Sequence, residues 1–462
     1  MNMNVFFRFS CLLLLLLGLA ACGGKSTGPY SGPPSRDVLV YPQDLFAYVD
    51  AAGGTRPLLD FSEQLAAAER QKEAWHRPWR LTRPARWIQD SLAKNFNMNP
   101  AGAYTNDYRP FPPELWNALV ANSNKGAFGR GAGPAITVRA TNLRAMPTER
   151  HFFRQPDLPG EGYPFDYFQH SSIPPGMPLY ICNVSRDKQW VLVDTPITAG
   201  WIPARDVARV NPDFMERWKS LPLAAIVRDN TTVGTLRADI GTLLPQAPSQ
   251  TVDAAPGFGP ALREALHVYY PVKVASGQAD TLGRAAISLA TIAPGAAAVV
   301  PLQLTAWAVA EVGSPMLGQA YGWGGLDGLR DCSALTRDLL IPFGIHLPRH
   351  SANQARAGRV IELGHLSNAE KEATIIAKGA PFRSLVWFRG HIGVYIGEYK
   401  GRAMYFHNMW GLRIKDAEGG CTGRAIVGKG VITTLQPGLE RPDLCHPGSF
   451  LDRVEKLTIL PQ

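Results

Sequence analysis

The feature that most constrains the fold is a pair of histidines placed symmetrically about a turn near the end of the chain. His391 and His407 each lie eight residues from Tyr399, at the centre of the turn-forming segment 397–401. Apolar residues alternate with others before this turn, which is typical of a strand with one face in the core. The spacing predicts a β-hairpin in which the two histidines face each other directly, with Cβ atoms about 5 Å apart.

The alternation also assigns the two faces of the first strand. His391, Gly393 and Tyr395 share one face, and the aliphatic residues between them share the face that we expect to pack in the core. One histidine acting as a base and a second orienting it is an arrangement that supports nucleophilic catalysis. The alternative is two unrelated strand histidines.

An upstream cysteine supplies a candidate nucleophile. Asp331 is a favourable N-cap residue, so the pattern predicts a helix that begins at Cys332 and presents Leu335 and Leu339 on one face. A helix N-terminus favours a thiolate, and its free backbone N–H groups stabilise an oxyanion. The alternative is that Cys332 is a small apolar core residue.

Five motifs in order give the last third of the chain a recognisable pattern. They are Tyr321-Gly-Trp-Gly-Gly, Asp331-Cys332-Ser-Ala-Leu, Arg349-His350-Ser351 with Gln354, Gly390-His391-Ile-Gly-Val-Tyr-Ile-Gly, and His407. Together they resemble the NlpC/p60 cysteine peptidases of the bacterial cell wall over about residues 304–436. The resemblance implies a papain-like domain at 304–462 that uses neither a cofactor nor a metal.

The resemblance also implies roles for the residues of these motifs. Cys332 is expected to be the nucleophile, His391 the general base and His407 its orienting partner. Four more residues match family positions that contact the peptide substrate or line the cleft: Asp331, Ser351, Tyr321 and Trp323. For Asp331 a purely capping role is the alternative, and both roles are compatible.

The sequence of the middle of the chain predicts two small β-barrels, at 135–218 and 219–303. Short β-branched runs alternate there with turn residues, as in small barrels. In the first, Ser185-x-Asp187-x-x-Trp190 followed by Gly200-Trp201-Ile202 resembles a bacterial SH3-like domain. The second is inferred from length and strand spacing alone. A mixed, partly helical domain at 38–134 precedes them, so the fold class is multidomain α+β.

Family members with SH3-like domains resemble γ-D-glutamyl-L-diamino acid endopeptidases, which cleave murein stem peptides before the diamino acid. In them the first SH3-like domain favours peptides with a free N-terminal L-Ala. An acidic group is needed to bind that ammonium, and loop 156–169 offers Asp157, Glu161 and Asp166 near two tyrosines. The sequence does not choose among them. Glu161 and Tyr167 are our candidate pair, and ordinary loop solvation is the alternative.

The N-terminus predicts export. Arg8, an apolar run at 12–17 and small residues before Cys22 resemble a bacterial lipoprotein signal at 1–21, with Cys22 as the lipidated residue. A plain secretory signal with an incidental cysteine is the alternative. Residues 22–37 are rich in Gly, Ser and Pro and are expected to tether the protein to a membrane, facing the periplasm.

Export also limits the partners. The formal net charge of +9 over 462 residues then fits an anionic envelope, and we expect no nucleic-acid partner. We expect a monomer whose substrate is the stem peptide of peptidoglycan.

Several features keep competing interpretations. Arginines and tryptophans interleave at 70–87, which fits a polyanion site or, more often, a solvated face with stacked arginines. Cys421 and Cys445 either form a disulfide or stay as free buried thiols. For the whole chain, the alternatives to a peptidase are an inactive cell-wall-binding lipoprotein and an acyltransferase or amidase with the same triad. A zinc site lacks the usual ligand spacing.

Overall fold

A computed structural model describes residues 33–51, 53–248, 264–276 and 280–461. The predicted signal at 1–21, Cys22 and most of the tether lie outside these ranges. Among the described residues, no helix is both long enough and apolar enough to cross a membrane.

The N-terminal part is mainly helical. The helices are α1 (Asp37–Val40), α2 (Phe61–Trp75), α3 (Arg86–Phe96) and α4 (Pro113–Asn122), with short 3-10 turns at Leu45–Tyr48, Arg77–Arg80 and Lys125–Ala127. These helices agree with the prediction of a partly helical domain at 38–134. Pro113 stands at the first position of α4, where the missing N–H costs nothing.

The interleaved arginines and tryptophans have a structural role. Trp75 and Trp79 are buried with apolar residues of the β region, and the Trp79 indole donates to the Ala135 carbonyl at 2.7 Å. Arg77 makes a two-pronged ion pair with the buried Asp194. The expectation of a solvated face was therefore wrong for these residues, because the segment joins the helical part to the strands.

The first β segment supplies seven neighbouring strands of a nine-stranded sheet and reaches one of its edges. Its strands are β1 (Gly133–Thr137), β2 (Thr141–Arg144), β3 (Gln169–Ile173), β4 (Pro178–Val184), β5 (Trp190–Asp194), β6 (Ala199–Pro203) and β7 (Val207–Arg209). The neighbour order is β1-β4-β5-β6-β2-β3, with β7 on the other side of β1. Helix α5 (Pro212–Lys219) follows and crosses the predicted boundary at 218.

The second β segment forms small sheets and one long hairpin. Its strands are β8 (Leu223–Ile226), β9 (Thr231–Val233), β10 (Leu236–Ala238), β11 (Leu243–Pro245), β12 (Leu266–Ser276), β13 (Asp280–Ile292) and β14 (Ala297–Val299). Strands β11-β8-β14 form one sheet and β10-β9 another, and β13 joins the nine-stranded sheet beside β7. The division into two barrels at 218/219 stays a prediction, because the two segments share this sheet.

The last part is a six-stranded sheet in the order β15-β20-β16-β17-β18-β19. The strands are β15 (Arg359–Glu362), β16 (Ser384–Phe388), β17 (His391–Tyr399), β18 (Arg402–Ile414), β19 (Gly423–Thr434) and β20 (Lys456–Ile459). The helices are α6 (Ala306–Gly313), α7 (Cys332–Leu340), α8 (Ser351–Gln354), α9 (Asn368–Lys378) and α10 (Phe450–Arg453).

The β17–β18 hairpin exists, but its register differs from the prediction. Val394 pairs with Phe406 and Tyr395 with Tyr405, and a bulge follows before Gly397 pairs with Met404. Continuing this pairing places His407 opposite Gly393, so the prediction that the histidines face each other directly was wrong. They are diagonal neighbours instead, because Tyr399 pairs with Arg402 and the hairpin is therefore centred between Lys400 and Gly401 rather than on residue 399.

Both faces of this sheet are covered. Ile392, Val394 and Ile396 pack with residues of α6 and α7, so this face lies in the core as predicted. Tyr395, however, belongs to a second apolar cluster that includes Phe388 and Phe450. The face that carries the histidines is therefore also a buried face, which determines their electrostatics.

Two further contacts fix the surroundings of α7. Arg330 donates two hydrogen bonds to Asp229 of the second β segment, at 2.7 and 2.8 Å, and one to Asp338 of α7 at 2.9 Å. All three side chains are largely buried.

Farther along, Cys421 and Cys445 form a disulfide, which selects one of the two alternatives left open by the sequence.

Candidate active site

Cys332 lies at the first position of α7, as the N-cap pattern predicts. The Asp331 carboxylate accepts a hydrogen bond from the Ala334 N–H at 2.8 Å and so caps the helix. Arg349 holds the same carboxylate from the other side, with bonds of 2.9 and 2.7 Å to its two oxygens. Both oxygens of Asp331 are thus engaged within the protein, and its predicted contact with substrate stays a prediction.

Opposing effects act on the pKa of the Asp331 carboxyl. Burial alone would raise the pKa of this carboxyl. The Arg349 guanidinium, the Ala334 N–H and the Ser333 hydroxyl hold the pKa well below its usual range. A permanently ionised carboxylate therefore stands next to the candidate nucleophile.

Burial and the negative charge of Asp331 both disfavour the thiolate form of Cys332. Burial first, and then the Asp331 charge, raise the pKa of Cys332 to about 12, although N–H groups of Ile392 and Ser333 oppose the change. The helix N-terminus favours a thiolate, as the sequence indicated, but desolvation of the buried thiol acts against it. The thiol must lose its proton to a base when it reacts.

The structure brings the two histidines together. His391 Nε2 lies 2.8 Å from His407 Nδ1, although the residues are not directly opposite each other. Burial lowers the pKa of His391 to about 3, and the positive charge of Arg453 acts in the same direction. Burial, with His391 beside it, also places the pKa of His407 well below its ordinary value. Both imidazoles are therefore neutral at pH 7, as a general base must be before it acts.

The Gly-rich loop before Cys332 approaches strand β3 closely. Gly324 and Gly325 both have positive φ. A Cβ at Gly324 would lie 2.5 Å from the Gln169 carbonyl oxygen, and one at Gly325 would lie 2.7 Å from the Ser172 nitrogen. Only glycine allows this contact between the loop and the first β segment.

Aromatic side chains surround the loop. Tyr321 and Trp323, predicted to line the cleft, both contact Phe165, with ring centroids 6.2 and 5.3 Å away. Trp410 of β18 packs edge-on to Phe165 at 5.3 Å and also contacts Tyr321. The aromatic residues that line the predicted cleft thus come from the Gly-rich loop, the six-stranded sheet and the first β segment.

The three acidic residues of loop 156–169 have different surroundings. Asp166 is buried and paired with Arg144 and His151, so it serves the fold. Asp157 is exposed. Glu161 is half-buried, accepts the Tyr167 hydroxyl at 3.0 Å, and Tyr167 in turn contacts Trp323. Of the three, Glu161 is the one connected through Tyr167 and Trp323 to the Gly-rich loop.

Ser351 opens the short helix α8 and is partly exposed. It follows Arg349, the ion-pair partner of Asp331, and this places it near the start of α7. Its contact with substrate stays a prediction. Across the described ranges, no group of three or more His, Cys, Asp or Glu side chains is arranged to hold a metal ion.

Sequence reasoning assigned no role to several residues of the site. Arg349 and Gln354 were part of a motif, but the ion pair to Asp331 and the Gln354 bond to the Ser333 carbonyl were not foreseen. Phe165 and Trp410 carried no signal beyond being aromatic. Thr433, whose hydroxyl lies 3.0 Å from His407 Nε2, looked like any strand threonine.

Family models match three parts of the chain. The model of the NlpC/P60 family matches residues 318–428. That of the N-terminal NLPC_P60 stabilising domain matches 9–128, and that of the SH3 domain of SH3b1 type matches 151–203. No curated protein matched the chain.

The chain is also similar to solved structures. An NlpC/P60 endopeptidase from Photobacterium damselae subsp. piscicida is 25% identical, with a TM-score of 0.76 over 90% of this chain and 97% of that chain. An NlpC/P60 family protein from Bacillus cereus ATCC 10987 is 17% identical, with a TM-score of 0.43 over 71% of this chain and 99% of that one. The chain therefore carries an NlpC/P60 domain, preceded by an N-terminal stabilising domain and an SH3-like domain, in a multidomain α+β arrangement.

Proposed function

We propose that the protein hydrolyses murein stem peptides between γ-D-Glu and the diamino acid, with Cys332 as nucleophile, His391 as general base and His407 as orienting partner. The observation that carries the proposal is the 2.8 Å hydrogen bond between the two histidines. They lie on β17 and β18, and both strands pack against α7, the helix that begins at Cys332. A neutral, oriented imidazole and a thiol at a helix start are the two parts that such a reaction requires.

The reaction proceeds in two proton-balanced steps. His391 accepts the Cys332 thiol proton while the sulfur attacks the γ-carbonyl carbon of D-Glu, and backbone N–H groups at the start of α7 stabilise the oxyanion. The imidazolium then protonates the leaving amine of the diamino acid, leaving a thioester. Water, deprotonated by His391, hydrolyses the thioester and regenerates the thiol.

Glu161 and Tyr167 are proposed to bind the free amine of N-terminal L-Ala. The half-buried carboxylate of Glu161 is the acid of loop 156–169 that connects to the cleft wall, through Tyr167 and Trp323. A charge-assisted hydrogen bond of this kind contributes about 1.5–3 kcal/mol. Losing it is expected to lower kcat/KM by about 10- to 100-fold.

The test uses L-Ala-γ-D-Glu-diaminopimelate. Wild type should release diaminopimelate, and Cys332→Ala should not. Glu161→Gln should lose activity on this peptide but match wild type on the N-acetylated peptide, whereas Asp157→Asn, an exposed acid of the same loop, should behave as wild type. Absence of any release by wild type from this or a longer stem peptide refutes the proposed reaction. A new adduct with added amines would identify an acyltransferase instead.

We also propose that the protein works in the cell envelope, anchored through lipidated Cys22. The support is the sequence of the first 22 residues, which resembles a lipoprotein signal. Cys22→Ser should move the protein from the membrane fraction to the soluble envelope fraction. Unchanged membrane association would contradict the anchor.

A further inference from the structure

A buried threonine lies at the end of the histidine pair. Thr433 of β19 is fully buried, and its Oγ1 lies 3.0 Å from Nε2 of His407. The same Oγ1 donates its hydrogen to the Thr434 carbonyl oxygen, 2.7 Å away. A hydroxyl has a single hydrogen, so Thr433 can meet His407 only as an acceptor.

This direction fixes the protons of both imidazoles. His407 must carry its hydrogen on Nε2 to donate to Thr433, which leaves the lone pair on Nδ1. That lone pair accepts from His391 Nε2, so the lone pair of His391 is on Nδ1, free to take a proton from a thiol. The reverse direction would place a hydrogen on His391 Nδ1 and remove the base.

We propose that Thr433 is a positioning residue that sets the tautomers of His407 and His391 so that His391 can act as the base. The inference rests on the proposed function and extends it by one residue beyond the triad. It depends on a neutral pair, and burial, which lowers the pKa of both histidines, provides that.

The acceptor of the Thr433 hydrogen is itself held in place. The backbone N–H and the hydroxyl of Thr434 both donate to one carboxylate oxygen of Asp37, at 2.8 and 2.7 Å. Asp37 belongs to α1, the first helix of the described chain. The hydrogen-bond chain from His391 thus ends on a residue that the N-terminal segment fixes.

Two substitutions separate this role from packing. Thr433→Val keeps the shape and removes the hydroxyl, and Thr433→Ser keeps the hydroxyl. We expect Thr433→Val to lower kcat by about tenfold or more with KM within about twofold, and Thr433→Ser to recover most of the loss. Thr458→Val is the matched control, because this buried threonine of the same sheet also donates to a carbonyl, that of Ala355. It should leave kcat unchanged.

The direct readout is ¹⁵N NMR of histidine-labelled protein without substrate. Wild type should show His407 protonated on Nε2 and His391 protonated on Nε2, and Thr433→Val should show mixed tautomers. Wild-type His407 protonated on Nδ1 overturns the inference whether or not the valine variant folds, as does full kcat in Thr433→Val. The expected tautomers without peptide cleavage would instead refute the proposed function alone.

Discussion

Breaking the Arg349–Asp331 pair is the sharpest test of how the site is built. The guanidinium and the carboxylate are both largely buried and joined by two hydrogen bonds. Arg349→Met would leave Asp331 as a buried charge without its cation, which typically costs about 3–5 kcal/mol. Arg349→Lys keeps a charge but loses the fork, so we expect a loss of about 1 kcal/mol.

The loss should depend on pH in a defined direction. In wild type the Asp331 pKa lies below its ordinary 3.8, so this group stabilises the fold above that pH and loses its contribution as pH falls through the folded pKa. Without Arg349, burial raises the pKa, and Asp331 takes up a proton as the solution is acidified. The deficit of Arg349→Met should therefore be largest at pH 7 and shrink toward pH 4.

Urea unfolding of both proteins at pH 7 and pH 4.5 measures this, with the stem-peptide assay in parallel. Arg441→Met is the matched control, because it breaks a second buried Arg–Asp pair, to Asp443, with bonds of 2.9 and 2.7 Å. The control should keep the rate of peptide release when folded, whereas Arg349→Met should lose it. An equal stability loss at both pH values, or one below about 1 kcal/mol at pH 7, refutes the reasoning.

Three further outcomes follow from the same structure. Because the pKa of Cys332 lies near 12, its alkylation by iodoacetamide should speed up by about tenfold per unit between pH 7 and 10, and a plateau below pH 8 would contradict this. Gly393→Ala should lose peptide release and about 1–3 kcal/mol of stability in urea, since its Cβ would lie 2.7 Å from that of His407; a wild-type rate would disprove the contact. Reducing the Cys421–Cys445 disulfide, which closes a separation of 24 residues, should lower the free energy of unfolding by about 3 kcal/mol, and an unchanged urea midpoint would count against it.

The helix at Cys332 was predictable because its signals are local. Asp331 caps Ala334, and the apolar stripe of α7 follows within two turns. Strands β5 and β6 were likewise marked by β-branched runs between turn residues. In each case short-range sequence carries the physical cause.

The protonation of Cys332 and the hairpin register were not predictable in this way. The turn is centred beyond residue 399, and a bulge between Tyr395 and Gly397 shifts the pairing back by one residue. Together they place the histidines two positions out of the predicted register, and neither leaves a mark in the alternation. The thiol pKa depends on how much protein covers the helix start, which comes from segments far apart in sequence. The same applies to Thr433, whose role depends on a contact between two strands.

The ion pairs of Arg330 limit how freely the peptidase part can be transplanted. One of its two carboxylate partners, Asp229, comes from the second β segment, and both lie in largely buried surroundings. Cutting the chain before residue 304 would expose the loop that precedes Cys332 and take away half of the anchor of Arg330. Exchange of catalytic domains between relatives, in evolution or in engineered chimeras, must therefore carry this acidic partner along with the catalytic residues.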